Sequence, residues 1–308
     1  MTVIAVPTIG RIVSAKPSRE AVVWRPYAYL TPLIILLGLF TYWPMVQTIY
    51  LSFMRLNPGG APSFVGLANY AGVFDHSQFQ DAARNSLIYI VASIPLKVML
   101  PILIAFFLWS IGPRLSTLYK SILFIPTLLS FVVVAILWIW MLNPIAGFAQ
   151  TLLKPFGLAL PPLLSKSETA IYVILGVSTW KILGFNVLLY LAGLAAINRD
   201  LIEAMRMDGA GDGVILRHLI LPLLSPTIFF VLISTIVFAV QQVFTPIDVM
   251  TQGGPANATT NLFYIAYQYT FESFNIGFAS AAVTLLFFAI GGLLLVKLFI
   301  VERHVHYG

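Results

Sequence analysis

Long apolar stretches separated by short charged ones run through the whole chain. Pro26–Met54, Ser121–Leu153, Leu219–Ile247 and Ser273–Val296 contain no Asp, Glu, Lys or Arg, and Asn85–Ile111 and Thr169–Ala196 hold one lysine each. About 20 mostly apolar residues cross a bilayer as a helix, and here the apolar positions surround the helix axis rather than forming one stripe. Short segments alternating with period two, the mark of a membrane barrel, are missing. The pattern predicts an all-α polytopic membrane protein with six transmembrane helices at about 27–54, 85–111, 121–143, 169–196, 223–248 and 273–298. These form a single domain over 27–301, between a basic tail at 1–26 and a short tail at 302–308.

Composition narrows the class further. Of the 308 residues, 59% are hydrophobic and 9% charged, against roughly 25% charged in an average soluble protein. That excludes a soluble body and a disordered chain alike. The absence of cysteine excludes a disulfide scaffold and thiolate metal sites. The formal charge of +6 matters through its distribution. With the N-terminus inside, the inner segments hold eleven Lys and Arg and the outer ones four, so the bias toward inner positive charge places both termini in the cytoplasm. Arg11, Lys16, Arg19, Glu20 and Arg25 interrupt any short apolar leader, so no cleaved signal peptide is expected.

The inner loop at about 197–222 is the most polar part of the chain. Asn198 or Asp200 can cap a helix over about Arg199–Met207, with Leu201, Ala204 and Met205 on one face. Gly209, Gly211 and Gly213 are expected to end it, and a second helical stretch runs to Pro222, a boundary or kink. Outside, a long loop contains Phe64-Val65-Gly66-Leu67-Ala68-Asn69-Tyr70, and the last one opens with Thr251-Gln252-Gly253-Gly254-Pro255.

Glu203-Ala204-Met205, Gly209, nine residues and then Leu219-Ile220-Leu221-Pro222 resemble the cytoplasmic loop of permease subunits of binding-protein-dependent ABC importers. Met205 stands where the family has a second Ala, and Leu219 where it has Ile. Asp208-Gly209-Ala210 also matches the usual surroundings of that loop, and the outer Phe64–Tyr70 segment, Leu189–Leu194 and Asp248–Pro255 resemble the sugar and glycerol-phosphate (MalF/UgpA-like) type in its six-span form. The resemblance implies an inner-membrane permease of a bacterium or archaeon, working with a second permease subunit, two copies of a cytoplasmic ABC ATPase and an extracytoplasmic solute-binding protein. It also implies that Glu203, Ala204, Met205, Asp208, Gly209, Leu221 and Pro222 couple to the ATPase, and that the middle of the fifth span lines the sugar path. The chain has no phosphate-cradling Gly-x-x-x-x-Gly-Lys-Ser/Thr, so ATP belongs to the partner and no cofactor is expected. Its four histidines are scattered over different segments, which leaves no catalytic or metal site.

Polar groups inside the spans are the remaining candidates. Lys97 and Lys181 each cost roughly 2.5–3.5 kcal/mol at a helix centre; they could line a path for an anionic or polyhydroxyl solute, or snorkel or pair. Gln241 and Gln242 point about 100° apart, so at least one faces the bundle, where an amide suits sugar hydroxyls. Trp180, Asn186, Tyr190 and Thr245 complete the set. The competing class, a self-contained secondary transporter or channel, would show inverted repeats or broken helices with an ion site, and the sequence shows only proline interruptions. A membrane-embedded enzyme would need a titratable cluster, which the histidine scatter opposes.

Overall fold

The computed structural model describes residues 19–56 and 61–301. The tails up to residue 18 and over 302–308, and with them the two termini, lie outside the described residues. The chain divides into two units, 1–48 and 49–308. In the first, α1 (Arg19–Leu37) and a π-helical turn at Gly38–Tyr42 lead into α2 (Trp43–Leu51). No side chain from Tyr27 to Thr48 is buried.

The second unit opens with a two-residue hairpin pair, β1 (Met54–Arg55) and β2 (Ser63–Phe64), antiparallel with Met54 opposite Phe64. The short α3 (Ala68–Asp75) follows. Asn69 fastens its start by donating to Ser52 O and Met54 O at 2.8 and 2.9 Å. Span two is α4 (Ser77–Ile94), a π turn at Pro95–Met99 and α5 (Leu100–Ser110), together one 34-residue rod. Span four is the unbroken α9 (Ser167–Ala195). The inner loop carries α10 (Arg199–Met207). Span five rises from α11 (Asp212–Ile215) through a π turn at Leu216–Ile220 into α12 (Leu221–Gln242) and α13 (Phe244–Met250). The outer α14 (Leu262–Phe271) leads to span six, α15 (Ile276–Val301).

Span three departs from the expected straight helix at 121–143. It consists of α6 (Pro113–Leu128) and α7 (Phe131–Met141), bent by 102° at their junction, with the small α8 (Phe148–Leu153) beyond. Proline inside a helix removes an N–H and crowds the preceding turn; Pro126 does so here, and Ser130 then caps α7 by accepting from Val133 N at 3.3 Å. Among the described residues, five helices are long and apolar enough to cross a membrane, six if the bent pair is one span.

Three apolar clusters hold the unit together. The inner one joins Val98, Leu108, Tyr190, Leu194, Ile202, Ile215 and Leu224, so the inner halves of spans two, four and five close on α10 and α11. A second packs α3, α4, α14 and α15 around Val73, Phe79, Ala266 and Ala282. The third gathers Tyr89, Ile174, Val243 and Tyr264 between spans two, four and five. Gly184 lets α9 cross α6 closely: a Cβ there would lie 2.0 Å from Leu123 O. Small residues permit such approaches in membrane helices, where apolar burial alone gives little drive.

Candidate functional site

A carbonyl freed by a helix break inside a bilayer has no water to bond, so it must find a protein donor. Three breaks in this bundle are resolved that way, and much of the polar chemistry of the spans belongs to them. Pro101 has no N–H to give to the carbonyl four residues earlier, which is that of Lys97. Asn186 of α9 supplies the donor instead, Nδ2 to Lys97 O at 2.7 Å. The Lys97 side chain, 1% exposed, turns the other way and donates from Nζ to Gln242 Oε1 at 3.1 Å. Lys97, Asn186 and Gln242 therefore come together where spans two, four and five meet. None of the chain's carboxylates lies in the charge-free or single-lysine stretches, so no acid of those stretches balances Lys97.

Lys181 belongs elsewhere. Its Nζ donates to Thr127 O at 3.1 Å, a carbonyl at the C-terminal end of α6, while Thr127 Oγ1 donates back to Lys181 O at 2.9 Å. The ammonium also lies 4.7 Å from the centre of the Phe131 ring, the first residue of α7. A cation at a helix C-terminus meets the negative end of the dipole, so Lys181 clasps the α6–α7 corner. Trp180 packs edge-to-face on Trp138 of α7 with centroids 5.7 Å apart. The expected pair of path-lining lysines thus separates into one at the helix junction and one at the corner.

The remaining candidates scatter. Tyr190 is fully buried in the inner cluster, with its hydroxyl unpartnered. Gln241 is exposed and, with Phe263, Val283 and Phe287, lines an apolar groove of about 370 Å³ between α12 and α15. Thr245 is half-buried in α13.

The third break, at Val243, is joined to the outer loop. Asn261, fully buried, donates to Val240 O at 2.9 Å and caps α14 by accepting from Tyr264 N at 2.7 Å. Span two holds the same loop from its other side. Asn85 donates to Asn257 O and Thr260 O, Tyr89 donates to Thr259 O, and Ser86 accepts from Leu262 N, at 2.9–3.0 Å. Burial, followed by the Asp248 and Glu272 carboxylates, pushes the Tyr264 phenol up to about 12, so it stays protonated.

On the inner side, Asn198 caps α10 by accepting from Asp200 N at 3.0 Å. The helix ends with Ala210 N bonded to Met205 O and Gly209 N to Arg206 O, both at 3.0 Å, around Gly209 at φ +81°. This is the Schellman ending, which requires a left-handed residue after the cap. Gly211 begins α11 in an extended conformation and Gly213 lies inside it, so neither of these two breaks α10. The expected docking face is also redrawn. Ile202 is buried and Met205 packs beside it on the inner cluster, whereas Leu201, Glu203, Ala204, Met207 and Asp208 are exposed. Leu221 and Pro222 follow a π turn that passes smoothly into α12.

Residues 65–306 match the family described as binding-protein-dependent transport system inner membrane component. The chain belongs to this family. The sn-glycerol-3-phosphate transport system permease protein UgpA of Rhizobium meliloti (strain 1021) is 34% identical over 287 residues, 92% of this chain and 96% of its own length. The protein of the same name from Brucella suis biovar 1 (strain 1330) is 35% identical over 286 residues, again 92% and 96%. In fold, the chain resembles a bacterial ABC transporter involved in import of the acidic polysaccharide alginate: TM-score 0.82 at 24% identity, over 92% of this chain and 96% of the other. The same transporter in complex with an alginate pentasaccharide-bound periplasmic protein gives 0.81 at the same identity and coverage. As a binding-protein-dependent transport component, the protein is a multi-pass inner-membrane permease.

For this permease, sequence reasoning passed over Asn85, Tyr89, Thr127 and Asn261. Asn85 and Asn261 carried a usable signal, since a carboxamide beside an apolar run has to bond to something. Which carbonyl it meets depends on where the helices break.

Proposed function

We propose that the chain is one of two permease subunits of an ATP-driven ABC importer, translocating a carbohydrate or carbohydrate derivative delivered by an extracytoplasmic binding protein. Partner ATPases bind the ATP. The observation that carries this reading is α10: an amphipathic helix anchored through Ile202 and Met205 to the inner ends of three spans, with Leu201, Ala204 and Met207 left uncovered on the cytoplasmic side. Uncovered apolar residues on a short, rigidly mounted helix suit a groove on a soluble partner. The described part of the first unit, with no buried side chain from Tyr27 to Thr48, needs lipid or the second subunit around it.

Within that class, an anionic solute such as a phospho- or sulfo-glycerol or sugar is favoured. Lys97 brings an amine able to carry positive charge to a junction without a carboxylate, and by engaging Gln242 Oε1 it leaves the Gln242 NH₂ donors available. The glycerol-phosphate transport of the UgpA relatives agrees with this choice. The test is uptake in proteoliposomes containing both permeases and the ATPases, with the binding protein outside and ATP inside. Uptake of an anionic carbohydrate derivative that needs both ATP and binding protein is expected. Uptake driven by an ion gradient without the ATPases would refute the reading.

A further inference from the structure

We propose that Gln242 is a specificity filter: it covers the Lys97 amine, so that an anionic group gains access to it and a neutral sugar does not. The inference rests on the function proposed above and deepens it, by giving the means by which that junction selects its solute. A solute cannot touch Lys97 in this conformation, because the side chain is 1% exposed. Its cover is Gln242, whose Oε1 accepts from Nζ at 3.1 Å and which is itself half-buried. The glutamine is thus the reachable member of the pair.

The cover can leave without parting the helices. Lys97 lies in the π turn of span two, and its carbonyl is fastened to span four by Asn186. Gln242 is the last residue of α12, beside the break at Val243, and the carbonyl of Val240 just before it is fastened to the outer loop by Asn261. With both backbones held, the freedom that remains belongs to the glutamine side chain, which has many rotamers. A swing of that side chain uncovers Nζ. Ser93, four residues before Lys97 in span two, is fully buried with its hydroxyl unpartnered. An unused donor therefore lies about one helical turn away.

Exchange on Nζ sets the selectivity. A hydroxyl that took the place of the amide oxygen would replace one neutral acceptor by another and gain nothing. A phosphate, sulfonate or carboxylate oxygen makes a charge-assisted bond about twice as strong as a neutral one. The equilibrium responds to the difference between the two states, so an anion opens the cover and a hydroxyl does not. A bare lysine would bond to hydroxyls as well; the covered one makes them compete with Gln242, which is discrimination by rejection. Once released, the Gln242 amide offers its oxygen to a solute hydroxyl and its NH₂ group to a further solute oxygen. The solute that suits this junction carries an anionic group and a hydroxyl close together.

The test uses the transporter complex of both permeases and the ATPases in lipid nanodiscs, without the binding protein, whose own selectivity would otherwise enter. Saturation-transfer NMR reads the dissociation constants of two probes, glycerol 3-phosphate and glycerol. The wild type should bind the phosphate at least about tenfold more tightly. Gln242→Ala uncovers Nζ and should tighten glycerol about threefold, narrowing that ratio. Gln242→Glu holds the amine with a carboxylate and should weaken glycerol 3-phosphate about tenfold while glycerol stays unchanged. The exchanged pair Lys97→Gln/Gln242→Lys rebuilds the bond with its ends reversed and should recover the wild-type preference, which a mere packing role would not. A wild type that binds both probes alike would overturn the proposal. So would a ratio unmoved in Gln242→Ala and Gln242→Glu, or an exchanged pair that folds without recovering it. Failure of the proposed function shows separately, as proteoliposome uptake that needs no ATPase. With ATP-driven uptake intact and the ratio unmoved, the filter alone fails.

Discussion

Lys97 and Lys181 are chemically identical and both nearly buried, at 1% and 6% exposure, yet their partners assign them opposite consequences. Lys181 spends its donor on Thr127 O and its charge on a helix end and an aromatic face. Lys181→Met should therefore lower the thermal stability of the purified complex by about 1–2 kcal/mol, the cost of an orphaned carbonyl, with the ratio of anionic to neutral solute uptake unchanged. Lys97→Met removes a buried amine that no nearby acid stabilises but leaves Gln242 Oε1 without its donor, so the two effects oppose and stability should change by less than about 1–3 kcal/mol. The anionic-to-neutral uptake ratio should fall at least about tenfold, roughly the 1.4 kcal/mol of a modest charge contact. Loss of selectivity in Lys181→Met with none in Lys97→Met would reverse the assignment. Gln242→Leu should reduce solute-stimulated ATP turnover, because its amide sits on Lys97, whereas Gln241→Leu places an apolar residue in an apolar groove and should be tolerated. Equal turnover in the two would leave both amides with packing roles.

At the scale of an element, three helix breaks are each paired with a distant side chain that accepts the consequences. Pro101 orphans Lys97 O and Asn186 answers it, so the two residues should be energetically coupled. Asn186→Leu alone should cost about 1–3 kcal/mol, since the backbone cannot supply a substitute donor. In Pro101→Ala/Asn186→Leu the alanine N–H can reach Lys97 O, and the double variant should recover about 1 kcal/mol relative to the sum of the singles. Denaturation of the four proteins in one detergent measures this, and strict additivity would refute the pairing. The all-helical membrane-spanning architecture, a cap at the start of α10 and a glycine stop at Gly209 were legible because they follow from local composition and backbone sterics. The 102° corner at 129–130 was not, although Pro126 and Ser130 stood in plain view. A proline in an apolar run is compatible with a kink, a π turn or a break. Which one forms depends on whether a donor such as Lys181 waits on a neighbouring helix. The partners of Asn85 and Asn261 were hidden for the same reason: their acceptors are backbone atoms up to 175 positions away.

At the scale of the molecule, α10 is where the inner halves of three spans share a core with a helix that also offers apolar side chains to the cytoplasm. Force applied to its exposed face would pass through Ile202 and Met205 to Val98, Leu194 and Leu224, and so toward the Lys97–Gln242 junction. In the coupling role proposed for α10, a partner can shift the bundle between states only by its difference in affinity for them, which requires the helix to stay rigid on its mount. Gly209 supplies the left-handed residue on which the end of that helix depends. No atom lies within 4 Å of where its Cβ would be, so a side chain would not clash; φ of +81° is the obstacle. Gly209→Val should cost about 1–3 kcal/mol locally and unwind the Met205–Ala210 and Arg206–Gly209 bonds. ATPase would remain bound in pull-downs while solute uptake per ATP hydrolysed fell several-fold. Gly209→Asn should fall between valine and wild type, because Asn enters the left-handed region more readily. Glu203→Ala, an exposed charge worth about 0–1 kcal/mol, should be mild. A Gly209→Val complex that couples hydrolysis to uptake like wild type would reduce this loop to a connector and require a different route for force into the spans.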